Sequence, residues 1–220
     1  MNALRTHGLV MDRRAILRLS AAAVVAGASL RPGRPAAAAT DPMAPIQQLN
    51  AALLAAMKAG QQAGFARRYA ILAPAVEQAI DLDTILRASV GLRWATMGEQ
   101  EKTGLSATFI RYTVSTYAAN FDSFSGQSFR ILPDTRSLSN GDMIVHTQIV
   151  RADRTATPID YVMRQTPTGW KAVDVLADGA ISRVAVQRSD FRALLDRGGV
   201  PALEAGLMHK VASLSGGMAA

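Results

Sequence analysis

This 220-residue sequence predicts an α+β fold in which several helices pack against a twisted antiparallel sheet of about four strands. Three observations point there. Apolar residues recur every three or four positions from Ile46 to Phe121. They alternate with polar residues through much of 128–176, and helical spacing returns from Phe191 onward.

The first element follows a short linker, 40–45, whose prolines suit a helix start. Ile46, Leu49, Leu53 and Met57 form one helical stripe and predict a helix running to about Gly60. A second, short helix is expected from Phe65 to Leu72, ended by Pro74, because proline lacks the N–H a helix interior needs. Asp81 or Asp83 can cap a third helix that carries Leu82, Ile85, Leu86 and Val90 and stops at Gly91. The longest helix is predicted between Gly98 and Phe121, with Glu99 and Glu101 at the positive end of its dipole. It has two apolar faces. Ile110, Val114, Tyr117 and Phe121 make one, and Leu105, Phe109 and Tyr112 lie on nearly the opposite side, which implies burial between two layers.

Strands are expected at Ser128–Leu132, Met143–Arg151, Pro158–Gln165 and Trp170–Leu176. In the third, Ile159, Tyr161 and Met163 alternate with Asp160 and Arg164, so one face is buried. Asn140-Gly141 and Pro167-Thr168-Gly169 supply turns, and Asp178 is placed to cap a segment beginning at Ala180. Phe191, Leu194 and Leu195 begin the return to helix, Gly198-Gly199 interrupts it, and Pro201 opens a last helix bearing Leu203, Leu207, Val211 and Leu214.

The formal charge is +7, from 24 basic and 17 acidic residues. Residues 1–39 hold six of those arginines and one aspartate, which leaves 18 basic against 16 acidic residues, a surplus of two. A domain so close to neutral gives no reason to expect nucleic-acid binding. The leader explains the excess. Arg13-Arg14, the apolar run 19–30 and the alanines 36–39 have the order of a twin-arginine export signal, and the run is shorter than the ~20 residues a membrane span needs. Residues 1–39 are therefore expected to be a cleaved signal and 40–220 one domain. With no cysteine, disulfides, thiolate metal sites and cysteine nucleophiles are excluded.

Reactive groups are sparse. His146 and His209 stand alone, without the spacing of a metal site, so no metal and no cofactor are expected. Asp160, Asp174 and Asp178 lie close in sequence and permit acid/base work in principle, but capping and charge pairing are the commoner uses. Ser182 lacks a nucleophile-elbow setting. Arg183, Arg188 and Arg192 share a helix that can face either solvent or an anionic head group.

The order of several short segments then resembles a known family. Gly91-Leu92-Arg93-Trp94, Glu99-Gln100, Thr116-Tyr117-Ala118 and Phe124-Ser125-Gly126-Gln127 are followed by Gly169-Trp170-Lys171-Ala172-Val173-Asp174-Val175, by 178–184 and by Arg188-Ser189-Asp190-Phe191. Together they resemble the MlaC/toluene-tolerance family of periplasmic lipid-binding proteins, and the alanine-rich leader is more similar to its hopanoid-associated HpnM branch. The serine at 182 lies one position later than the family commonly has it after the glycine. The resemblance implies a non-enzymatic, periplasmic carrier, with an apolar cavity between sheet and helices that takes a phospholipid or hopanoid-type lipid. It also implies membrane-bound partners of an ABC-type lipid transport system; a monomer is expected. Candidate lipid-binding residues from the helices are Leu92, Trp94, Phe109 and Tyr112. From the strands they are Phe129, Ile131, Val145, Tyr161, Met163, Val173 and Val175. A competing reading is a small exported enzyme with a cone-shaped pocket that uses Asp160 or Asp174 with His146. It requires those side chains to converge inside the pocket.

Overall fold

A computed structural model describes residues 41–217. The export signal expected over 1–39 lies outside the described residues. Helix α1 (Ala44–Ala59) begins with Pro45 in its first turn and buries Ile46, Leu49, Leu53 and Met57, the stripe its spacing predicted. Gly60, at φ +70°, ends it in a conformation side chains rarely adopt.

Helix α2 (Gly64–Ala79) corrects the expectation that Pro74 would end it. The helix runs through the proline and buries Phe65, Leu72, Val76 and Ala79 on one side. Losing one backbone bond and accommodating the ring costs about 3 kcal/mol. Burying even two such side chains returns ~1.5–3 kcal/mol each, so packing decides the outcome.

Arg68 shows how α2 is fixed in place. Its side chain is buried, its Nε donates to the carbonyl of Ala118 at 3.1 Å, and its Nη1 donates to the carbonyl of Gly60 at 3.0 Å. One cation thus satisfies free carbonyls at the ends of two helices, where the dipole favours positive charge. Arg68→Met is expected to lower the unfolding free energy by about 2–4 kcal/mol, because two carbonyls lose a charged donor. A loss of unfolding free energy under 1 kcal/mol in a urea titration would show that water replaces the guanidinium at little cost.

Helix α3 (Leu82–Val90) is capped by Asp81, whose carboxylate accepts from the Thr84 N–H at 3.0 Å and the Thr84 hydroxyl at 2.8 Å. The N–H of Asp81 donates to the Ala172 carbonyl, which ties the α2–α3 junction to the sheet. A 3-10 turn, Gly91–Thr96, leads into α4 (Glu99–Asn120), the longest uninterrupted helix. Glu101 reaches back to the Gly98 N–H at 2.9 Å.

The sheet is an antiparallel meander in the order β1 to β5, one strand more than predicted. Its strands are β1 (Ser128–Ser137), β2 (Met143–Val150), β3 (Ala156–Thr166), β4 (Gly169–Ala177) and the two-residue β5 (Ile181–Ser182). Strand β1 runs past the expected end at Leu132 because a register shift between Ile131 and Thr135 absorbs Pro133 on an edge strand. At the β1–β2 turn, Arg164 grips Asp142 through two hydrogen bonds of 2.8 and 2.7 Å, which hold the Asp142 carboxyl below its usual range.

Asp178 does not cap a helix. It sits at φ +51° in the β4–β5 turn, and Ser182 is the cap, accepting from the Ala185 N–H at 3.0 Å. Helix α5 (Arg183–Leu214) breaks at Gly198-Gly199, with Gly199 at φ +66°, and resumes with Pro201 in its first turn, as expected. The core joins Val145, Tyr161, Met163 and Ala172 of the sheet to the buried faces of α1 to α5.

Candidate functional site: an apolar cavity

The layers do not close completely. Between α3, α4 and α5 on one side and β3 and β4 on the other lies a cavity of about 370 Å³. That is within the size range of small-molecule sites. Period-2 geometry explains its sheet wall: Ile159 and Tyr161 of β3 face it beside their cross-strand partners Ala177 and Val175 of β4. The helical wall comes from the two apolar faces of α4, with Phe109 and Tyr112 from one and Tyr117 and Phe121 from the other.

The lining combines buried and exposed side chains. Ile80, Leu82, Ile85, Phe109 and Tyr161 are buried, whereas Asn120 and Arg183 are exposed at the rim. Aromatic rings stiffen the walls. Phe109 stands edge-on to Phe191 with ring centres 6.1 Å apart, and Tyr117 stacks on Phe121 at 6.0 Å. The Thr113 hydroxyl, also on the lining, is buried and has no hydrogen-bond partner.

Burial sets the electrostatics of the cavity. It pushes the Tyr117 hydroxyl up to about 12, moderated by the Arg183 charge, and drives Tyr161 well above the ordinary value of 10. A raised folded pKa means the native state keeps protons that the unfolded chain releases. The associated stability is therefore complete below pH ~10 and is lost as pH climbs toward 12. An absorbance titration of phenolate should show both rings ionising late, together with alkaline unfolding; ionisation of both near pH 10 in the folded protein would mean that water reaches them.

Of the predicted lipid-binding residues, Phe109, Tyr112, Tyr161 and Val175 line this cavity. Val145 and Met163 are wholly buried in the core beyond it, and Val173 is buried away from its lining. Phe129 and Ile131 are half-buried on β1, with Phe129 against the Phe121 ring. Trp94 lies outside it too, beneath the Arg87 guanidinium at 5.6 Å. Leu92 is a correction: at 90% exposed on the 3-10 turn it projects into solvent and is no part of the cavity. The sequence reading treated Leu82, Ile85 and Tyr117 as helix stripes and did not identify them as cavity residues. It missed Thr113 and Thr116, whose polar side chains carry no apolar signal.

The enzyme reading fares differently. His146 Nδ1 lies 2.7 Å from Asp160 Oδ2, so that pair does converge. It does so on the other face of the sheet, because His146 and Asp160 alternate with the cavity-side Val145 and Tyr161. Asp174 is on the cavity lining, yet its carboxylate accepts from the backbone N–H groups of Val175 at 2.8 Å and Val184 at 3.1 Å and from the Ser182 hydroxyl. It pins the start of α5 to β4. Among the described residues no group of three or more His, Asp or Glu is placed to hold a metal ion, and no helix is long and apolar enough to cross a membrane.

An open antiparallel meander, backed by helices and left hollow along an aromatic seam, defines the class: an α+β protein built around a hydrocarbon-lined chamber. The sequence pattern of the MlaC protein family matches residues 47–208, so the chain belongs to the MlaC family. No curated protein matches it. Among solved structures it is similar to a phospholipid-binding protein from Ralstonia solanacearum in complex with a phospholipid. That structure shares 19% identity at a TM-score of 0.68, over 79% of this chain and 98% of the other. This likeness shows the fold.

Proposed function

We propose that the protein is a periplasmic lipid carrier of the hopanoid-associated branch of its family. Its cavity takes the hydrocarbon of a phospholipid or hopanoid-type lipid, and it shuttles that lipid between membrane-bound partners of an ABC-type transport system. The observation that carries this reading is the chamber itself, walled by aromatic and aliphatic side chains, with the exposed Asn120 and Arg183 on its lining. Family membership and a fold neighbour that holds a phospholipid support the same ligand class. The physics is sufficient, since each buried methylene contributes ~0.8 kcal/mol and a long chain needs no polar contact to bind.

Such a carrier is expected to have an export leader on residues 1–39, a single domain over 40–220 and no catalytic step of its own. Native mass spectrometry on protein purified from the exported fraction of its own host tests the reading. Co-purifying lipid at one molecule per chain is the expected result. A protein that is uniformly empty, and that stays empty when offered lipid vesicles, overturns it.

A further inference from the structure

The cavity lining carries hydroxyls that nothing in the protein uses. Thr113 Oγ1 is buried and makes no hydrogen bond. Other hydroxyls show what a helical serine or threonine ordinarily does. Thr103 Oγ1 donates to the Glu99 carbonyl at 2.8 Å, Thr116 Oγ1 to that of Tyr112 at 2.9 Å and Ser89 Oγ to that of Ile85 at 2.8 Å. Thr113 makes no such bond to Phe109. Two more buried polar side-chain atoms lack partners among the described residues, Ser115 Oγ and Trp170 Nε1, and both lie off the lining.

Thr113 has company. Tyr117 follows it four residues on, so the two share a face of α4, and Tyr161 lies across the cavity on β3, within electrostatic reach of Tyr117. Neither phenol makes a hydrogen bond among the described residues. The exposed Arg183 guanidinium also acts on Tyr117, which sets this cluster beside the charge on the lining. Donors without acceptors in an apolar chamber describe part of the guest. Hydrocarbon offers them nothing, whereas a carbonyl oxygen that leaves water for the cavity gives up its own hydrogen bonds and needs replacements. With the lipid-carrier reading as premise, we propose that the hydroxyls of Thr113, Tyr117 and Tyr161 donate hydrogen bonds to the acyl ester carbonyl oxygens of a glycerolipid. Burial of hydrocarbon then supplies the affinity, and these hydroxyls favour an ester-linked lipid over an ether-linked or polycyclic one.

Titration calorimetry on the full chain, stripped of bound lipid on a hydrophobic resin, tests this with three probes: dipalmitoyl phosphatidylglycerol, its dihexadecyl ether analogue and bacteriohopanetetrol. Wild type is expected to bind the diester at least about tenfold tighter than the diether, the scale of one or more net hydrogen bonds. Thr113→Val should weaken the diester about five- to tenfold and leave the diether unchanged, and Thr113→Ser should retain the preference. The melting temperature of Thr113→Val should hold or rise, because the lost hydroxyl has no partner in the protein. Infrared spectra should place the carbonyl stretch of bound diester lower in wild type than in Thr113→Val. Equal binding of diester and diether by wild type overturns the inference and leaves the carrier reading intact, as does a Thr113→Val loss equal on both probes, which is a packing effect. Uptake of bacteriohopanetetrol without uptake of either glycerolipid does the same. Failure of all three probes to bind overturns the carrier reading together with the inference.

Discussion

Phe109→Ala is expected to lower the unfolding free energy by about 3 kcal/mol, the low end of the ~3–5 kcal/mol range for a buried phenylalanine. Phe109 is 1% exposed, edge-on to Phe191 of α5 and tilted against Tyr112 one turn along α4, so the ring ties the two helices that bound the cavity. Its removal forfeits the apolar burial and the aromatic contact together. The low end applies because part of the ring already borders empty space: atoms facing the cavity have no partners to lose. A urea titration should show a lower midpoint with an unchanged slope. A loss under 1 kcal/mol would show that α4 and α5 do not depend on this contact.

Where the sequence was legible, a strong local signal and the tertiary packing agreed. Ile46, Leu49, Leu53 and Met57 are all buried, Asp81 and Gly91 bound α3 as expected, and Gly198-Gly199 breaks the last helix. Where it misled, a local preference lost to something distant. Pro74 is tolerated because the apolar side of α2 on both flanks of it is buried, and no window around the proline reveals that. Asp178 looked like a cap because it precedes a helical stretch, but β5 intervenes and hands that role to Ser182. A two-residue strand is too short to leave a periodic trace.

The cavity was legible in kind but less so in membership. Alternation selects a face of a strand, so Tyr161 and Val175 were found, yet it cannot tell a residue that borders a void from one that packs behind it. Val145 and Met163 share that face and are simply core. The two-faced pattern of α4 was the better guide, since a helix apolar on both sides has to meet something on each, and here residues of both stripes border the same empty space. Leu92 misled in the other direction: the turn Gly91–Thr96 leaves it 90% exposed.

Val175→Trp gives the sharpest separation between a chamber that works and one that is incidental. Val175 lies on β4 opposite Tyr161, with its side chain on the cavity lining. An indole there displaces on the order of four methylenes of any bound chain, worth ~3 kcal/mol, so affinity should fall more than about a hundredfold. Stability should move the other way or stay level, because the new ring fills unoccupied volume and gains contacts that the void denied to its walls. In a closed core the same substitution would force neighbouring side chains apart and cost about 1–3 kcal/mol. The two readouts therefore discriminate. Retained melting temperature with abolished lipid uptake is the signature of a filled chamber. Strong destabilisation would mean there is no room beside Tyr161, and unchanged uptake would place the lipid elsewhere on the molecule.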